Sequence, residues 1–276
     1  MLTLNCNGRL VSLDRPLVMG IINITPDSFY PASRVTNEKE ILIRAEKMIN
    51  EKANIIDIGG QSTRPGAQKL EVAEELGRVI PAVKSLRKAF PDLIISVDSF
   101  SSVVALESIA AGASIINDIS GGEFDHDIVS VAAAAKVPYI CTHIKGTPEN
   151  MQHKPAYENV TREVLDFFIA KINVAKKAGV SDLIIDPGFG FGKDRRHNFQ
   201  LLKDLPVFKI LERPIMVGVS RKSTIYKTLG ITSDEALNGS TVLHTIALLK
   251  GAHIIRVHDV KEAVEAVTLV EAYERG

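Results

Sequence analysis

The feature that most constrains this chain is a repeat: eight short, nearly continuous apolar runs, each followed by a stretch of helical length. The runs occupy Leu17–Asn23 and residues 54–59, 93–98, 114–119, 138–143, 183–188, 214–220 and 254–259. They are rich in Val and Ile and mostly end in a polar residue or glycine, as strands buried on both faces of a parallel sheet do. Residues 38–52, 69–88, 101–111, 126–136, 157–178, 194–211, 233–250 and 260–273 carry the amphipathic, helix-length pattern. In the first of these Ile41, Ala45, Met48, Ile49 and Lys52 line one side, with charges opposite. Gly112, Gly179 and Gly251 stand where helix C-caps are expected. Eight strand–helix units without a clear edge strand predict a closed (β/α)8 barrel in preference to an open doubly wound sheet. Only 138–143, with its leading Pro138, reads as a candidate edge.

Ahead of the first run, Asn7-Gly8 lies between two short strand-like stretches and signals a hairpin, read as a flap over the barrel bottom. The expectation is a single α/β domain over 1–276, a TIM barrel with residues 1–15 as a short N-terminal β-hairpin. A length of 276 residues suits one barrel. With 33 Lys+Arg against 33 Asp+Glu, the chain lacks the basic excess of a general nucleic-acid or anionic-membrane binder. No apolar run approaches the roughly 20 residues of a membrane helix. The start, MLTLNCNGRLVSLDRP, shows no secretory pattern, and Cys6 and Cys141 form no CxxC or zinc-spaced cluster. A reduced, cytoplasmic protein is the expectation.

In a barrel the active site lies at the carboxyl ends of the strands. Those ends carry Asn23, Asp57, Asp98, Asn117, His143, Asp186, Ser220 and then Arg256 with His258. Any one of them is explained as a helix cap, as Ser99 and Ser101 are; eight polar ends at one mouth are not. Asp98, Asn117 and Asp186, with Lys222 just past the seventh run, suit a flat neutral heterocycle with an amidine-like edge. A metal site, or an ion pair of the carboxylates with Lys222, is the alternative. Arg64, Arg256 and His258, with Asn23 nearby, form a cationic set fit for phosphate or diphosphate. Here the alternative is pairing of an Arg with Glu262 or Glu265. The loops 25–31 and 59–66 are longer than routine connections and suit active-site covers. Residues 188–193, GFGFGK, lack P-loop spacing but let backbone approach a ligand and offer Phe faces.

The segments NITPDSF (23–29), DIGGQSTRPG (57–66), SVDS (96–99), IIND (115–118), HIKGTPENMQ (143–152), IDPGFGFGK (185–193), SRKS (220–223) and RVHDV (256–260) together resemble the dihydropteroate synthase family. The resemblance runs through nearly the whole chain in the family's order. It implies a transferase of folate biosynthesis, usually a homodimer and a sulfonamide target. The reaction joins 6-hydroxymethyl-7,8-dihydropterin diphosphate to p-aminobenzoate, giving 7,8-dihydropteroate and pyrophosphate. It further implies that Asp98, Asn117, Asp186 and Lys222 hold the pterin, and that Asn23, Arg64, Arg256 and His258 hold the diphosphate. Mg2+ would bridge the diphosphate and Asn23. Phe29, Thr63, Pro65 and Ser223 would form the p-aminobenzoate pocket, and Asp27, Lys222 and Arg256 would serve catalysis.

The chain departs from the family pattern where Tyr30-Pro31-Ala32-Ser33-Arg34 follows Phe29, and where Cys141-Thr142 precedes His143. The latter pair is expected to reshape a wall of the pocket, and His143 is read as structural. A methyltransferase of the same barrel needs no diphosphate clamp. A silent pterin-binding paralogue would have lost clamp charges, and an aldolase using Lys222 needs a desolvated lysine. Helix 238–250 is apolar enough on several sides to join a dimer interface.

Overall fold

The computed structural model of the protein describes residues 2–24, 34–61 and 70–276. Strands β1 (Thr3–Cys6) and β2 (Arg9–Ser12) pair antiparallel across Asn7-Gly8. Both turn residues take positive φ, 53° and 83°, as a two-residue hairpin turn demands. The barrel follows as β3 (Leu17–Asn23), β4 (Ile55–Gly59), β5 (Ile94–Asp98), β6 (Ile115–Asp118), β7 (Tyr139–Thr142), β8 (Leu183–Asp186), β9 (Met216–Val217) and β10 (Ile254–Val257). These strands are parallel in the order β8-β7-β6-β5-β4-β3-β10-β9. A parallel bridge between Ile185 and Ile215 joins the two ends of that series, so the sheet closes. Strand β7 is therefore no edge: it lies between β6 and β8. Pro138 stands just before the strand, where its carbonyl still accepts from Ile116 N–H at 3.0 Å.

The helices are α1 (Arg34–Asn50), α2 (Val72–Ala89), α3 (Ser102–Ala110), α4 (Asp127–Ala135), α5 (Val160–Ala178), α6 (Arg195–Lys203), α7 (Ser223–Leu229), α8 (Leu237–Leu249) and α9 (Val260–Arg275). Local chemistry sets their ends. The Ser101 side chain accepts from Val104 N–H, and Asn159 accepts from Arg162 N–H, each an N-cap. Gly112, Gly179 and Gly251 take positive φ just past α3, α5 and α8.

Three elements differ from the sequence pattern. The helix expected over 194–211 breaks after α6 and continues as a 3-10 turn, Leu205–Leu211. Pro206 causes this, since it has no N–H to give the preceding turn and its ring crowds that turn's carbonyl. The run 214–220 forms a ladder only at Met216–Val217. Beyond it the chain bends through Arg221, at φ 52°, into α7, a helix the sequence pattern does not reveal.

Register sorts the barrel interior into two levels. Side chains alternate along a strand, and the pairings Met19↔Ile55, Ile55↔Ile94, Ser96↔Ile115, Ile140↔Ile184 and Ile254↔Met216 keep one set pointing inward. The lower level is Leu17, Met19, Ile55, Ile94, Ile115, Ile140, Ile184, Met216 and Ile254, which pack in one buried cluster with Leu4, Cys6 and Leu13 of the N-terminal hairpin. The hairpin thus plugs the bottom. Asn5 N–H donates to Asp182 Oδ2 at 2.7 Å, and Asn7 Nδ2 donates to the Ala113 carbonyl at 3.0 Å. Each buried Leu or Ile of the plug contributes about 1.5–3 kcal/mol. The outward set, with Ile56, Val97, Ile116 and Ile185, packs against the helices.

Candidate active site

Above that level the same inward parity selects Asp57, Asn117, Thr142, Asp186 and Arg256 one step up their strands, and Asn23 and Asp98 two steps up theirs. All but Asn23 and Arg256 are buried. Asn23 ends β3 beside Gly59, where a Cβ would lie 3.0 Å from Asn23 Oδ1 and 3.7 Å from Asp98 Oδ2. A side chain at position 59 would therefore crowd both groups.

Arg256 organises the mouth. Its Nε donates to Asp57 Oδ2 at 2.6 Å and its Nη2 to Asp98 Oδ2 at 2.7 Å, while Asn117 Nδ2 donates to the same Asp57 oxygen at 3.0 Å. The acids that pair with Arg256 are thus on β4 and β5, not Glu262 or Glu265 on α9. This also places Arg256 deeper than a simple diphosphate clamp, as a bridge between the carboxylates and the rim. Asp57, which the sequence reading puts at a strand end without a role, is the hub. Its position in IIDIG, two before the strand's last residue and in phase with Ile55, is the signal that marks it as inward.

Asp186 Oδ1 accepts from Gly188 N–H at 2.8 Å. Lys222, the N-cap residue of α7, donates from Nζ to the Phe189 carbonyl at 2.5 Å and stands 4.7 Å from the Phe191 ring centre. A Cβ at Gly218 would lie 3.8 Å from Lys222 Nζ and from Arg256 Cβ and 4.0 Å from Asp186 Oδ2. Three of the sequence-predicted groups therefore meet over one bare stretch of backbone. His258 takes Ser220 Oγ at 3.1 Å from both its backbone N–H and its Nδ1, and Ser223 opens α7 next to Lys222. Asp27, Phe29, Thr63, Arg64 and Pro65 lie outside the described residues.

Burial and charge set the protonation of this group. Burial pushes Asp98 up to about 7; Arg256 opposes and Asp57 adds to the rise. Burial also raises Asp186 against the pull of Lys222. Lys222 is brought down to about 8 by burial, with Asp186 opposing. Burial works to lower Arg256, but Asp57 and Asp98 outweigh it and hold the guanidinium above its ordinary value. Desolvation in the mouth, then the neighbouring Arg256, pulls His258 down to about 4, even though the residue as a whole is open to solvent. Of the cationic set read from the sequence, His258 is thus held in its neutral form.

Asp57 Oδ1, Ser96 Oγ and Asn117 Oδ1 are buried without a hydrogen-bond partner. Such atoms are rare in folded proteins and costly unless something satisfies them. All three accept hydrogen bonds, so the mouth fits a flat ligand rich in N–H donors. Among the described residues no three His, Cys, Asp or Glu converge as a metal cluster.

The helix-cap reading holds at Ser99 and Ser101. Ser99 Oγ accepts from Ser101 N–H at 3.1 Å, and Ser101 caps α3. His143 is buried, with Nδ1 2.8 Å from Lys193 Nζ and its ring edge-on to Phe167; burial and then Lys193 push it down to about 2. One expectation is corrected. Cys141 does not line the pocket: it sits on the outward face of β7, where its Sγ and Phe167 crowd Gly121. Only its neighbour Thr142, opposite Asp186 in the ladder, faces the interior.

The chain matches the family model described as pterin binding enzyme over residues 19–258. It is 45% identical to the dihydropteroate synthase of Escherichia coli (strain K12) over 267 residues, covering 96% of this chain and 94% of that one. Its structure resembles that of Yersinia pestis dihydropteroate synthase with a sulfonamide drug complex, at a TM-score of 0.93 and 42% identity over 100% of both chains. It also resembles Xanthomonas albilineans dihydropteroate synthase with 4-aminobenzoic acid, at a TM-score of 0.92 and 39% identity over 99% of this chain and 98% of that one. A plugged barrel with an acceptor-lined mouth and these relatives lead to one conclusion: the chain belongs to the dihydropteroate synthase family of pterin-binding enzymes.

Proposed function

We propose that the barrel mouth condenses 6-hydroxymethyl-7,8-dihydropterin diphosphate with p-aminobenzoate to form 7,8-dihydropteroate and pyrophosphate, the folate-pathway reaction of its family. The observation that carries this reading is the trio of buried, partnerless acceptors, Asp57 Oδ1, Ser96 Oγ and Asn117 Oδ1, with Asp57 linked through Arg256 to Asp98. The N–H edge of a pterin satisfies such a set. Asp98, Asn117, Asp186 and Lys222 hold the ring. Asn23, Arg64, Arg256 and His258 hold the diphosphate, and Phe29, Thr63, Pro65 and Ser223 receive the aromatic amine.

The C–O bond between the pterin's exocyclic methylene and the diphosphate breaks first, and its electron pair leaves with the diphosphate. The ring and the carboxylates of Asp98 and Asp186 stabilise the positive charge left behind. Arg64 and Arg256 stabilise the departing anion, and His258 holds it alongside them. The neutral arylamine then forms the C–N bond and gives up a proton, for which Asp27 is the acceptor. Asn23, with one hard amide oxygen at the rim, is the residue that would hold Mg2+. Bound there, the ion would supply further charge neutralisation to the leaving group.

The sulfonamide seated in the Yersinia pestis enzyme suggests that the same drugs compete with the amine here. A homodimer through α8 is supported by Val242 and Leu249, which that helix leaves exposed. A cytoplasmic location is in keeping with two free cysteines, Cys6 and Cys141. No helix among the described residues is long and apolar enough to cross a membrane.

The test is pyrophosphate release by purified protein given the pterin diphosphate and Mg2+, with and without p-aminobenzoate. Release that depends on the amine, matched by dihydropteroate formation, is expected. Tight pterin binding without turnover would contradict the reading.

A further inference from the structure

The loop from β8 to α6 holds a buried lysine that the mechanism does not use. Lys193 is only 2% exposed. Its Nζ stands 2.8 Å from His143 Nδ1 and donates to the carbonyls of Gly188 and Phe191, each at 3.0 Å, and of His143 at 3.2 Å. Carbonyl oxygens only accept, so one amine ties the two ends of the 188–191 segment to the end of β7.

The glycines of the same loop report independently how closely it lies on that neighbour. Gly188 and Gly192 take φ of 72° and 63°, and a Cβ on either would collide with the backbone carbonyl of His143 or Lys145. On its other side the loop meets the mouth. The Phe189 carbonyl accepts from Lys222 Nζ, and the Phe191 ring stands beside the same ammonium. Phe189 and Phe191 both reach the Lys222 ammonium, and the loop carbonyls that Lys193 grips are those of 188 and 191.

We propose that Lys193 is a positioning residue for Lys222: it clamps the 188–191 backbone so that the Phe189 carbonyl and the Phe191 ring fix the Lys222 ammonium where the pterin binds. The inference rests on the reading of Lys222 as a pterin ligand. Lys193 touches no reacting atom and exchanges no proton; its effect passes through the loop.

The test is a double-mutant cycle on the affinity for the pterin diphosphate, measured by calorimetry without the amine. It compares wild type, Lys193→Met, Lys222→Met and the double variant. Lys193→Met is expected to weaken binding about ten-fold when Lys222 is present and less than about two-fold when it is not, because groups acting through one another are not additive. An equal loss in both backgrounds, or no loss in the first, overturns the inference. Unchanged affinity in Lys222→Met itself overturns the reading beneath it, a separate result. Should Lys193→Met not fold, as thermal unfolding will show, Lys193→Gln, whose two amide hydrogens cannot serve three carbonyls, runs through the same cycle with the same overturning outcomes.

Discussion

The two halves of the barrel interior are built from the same strands and the same inward parity, yet they do opposite work. On β8, Ile184 sits in the plug and Asp186 in the mouth, one residue between them. On β6 the pair is Ile115 and Asn117, and on β4 it is Ile55 and Asp57. Below, the side chains are apolar, fully packed and closed off by Leu4 and Leu13 of the hairpin. Above, the buried polar atoms include three without partners and an arginine bridging two carboxylates. One step along a strand, 6–7 Å of rise, therefore separates a region whose energy is hydrophobic burial from one whose energy is stored in electrostatics and completed by a ligand. The mouth tolerates its unmet acceptors because the plug beneath supplies the stability.

The largest effect that would test this contrast comes from Arg256→Ala. It leaves Asp57 and Asp98 buried without their counter-charge and is expected to cost about 3–5 kcal/mol in chemical denaturation, besides abolishing turnover. Adding Asp57→Asn and Asp98→Asn should recover part of the stability but none of the activity. Recovery of neither would mean that Arg256 stabilises by packing, as a plug residue does.

A smaller effect is the pH response. Asp98, raised to about 7, must be ionised to accept from the pterin, and Lys222, lowered to about 8, must be charged to donate. For the free enzyme kcat/KM should therefore rise through about pH 7 and fall through about pH 8. Asp98→Asn, if it retains activity, removes the acid limb. The stability sign is opposite on the acid side. The native state holds a proton on Asp98 that the unfolded chain, with a carboxyl near 3.9, has lost, so this group's contribution declines as pH rises from about 4 to 7. A flat stability profile across that window, with Asp98→Asn indistinguishable from wild type, would count against a buried, raised carboxyl.

The smallest effect is expected at Cys141. Because it faces the helix layer, Cys141→Ala should cost about 1 kcal/mol of stability and leave the KM for p-aminobenzoate unchanged. A raised KM would return this residue to the pocket wall.

Much of this is legible in the sequence alone. The eight barrel strands and the hairpin are legible in eight continuous apolar runs and one Asn-Gly pair, because a strand buried on both faces leaves a continuous apolar record; the seventh run alone pairs over just two residues. Asp98, Asn117 and Asp186 were legible as inward groups because each closes or nearly closes its strand. Asp57 was harder, since its partners Arg256 and Asn117 are 199 and 60 residues away in sequence. Only ring closure brings β4, β6 and β10 around one point. The short extent of β9 and the presence of α7 are hidden for a related reason. The bend at Arg221 is held by two bonds of 2.8 Å to Asp259, a long-range pair that no local pattern encodes. Lys193 reads in sequence as the polar end of a glycine loop, and its burial follows from carbonyls supplied by another strand's end.

The central claim is that adjacent inward positions of one strand divide binding from stability, and β8 tests it directly. Pterin affinity by calorimetry and unfolding free energy should be measured for Ile184→Ala and Asp186→Asn side by side. Ile184→Ala is expected to lose about 2–5 kcal/mol of stability with affinity intact, and Asp186→Asn to lose about 10- to 100-fold in affinity with stability nearly unchanged. Equal losses of affinity in both variants, or an Asp186→Asn protein that binds pterin like the wild type, would contradict the account.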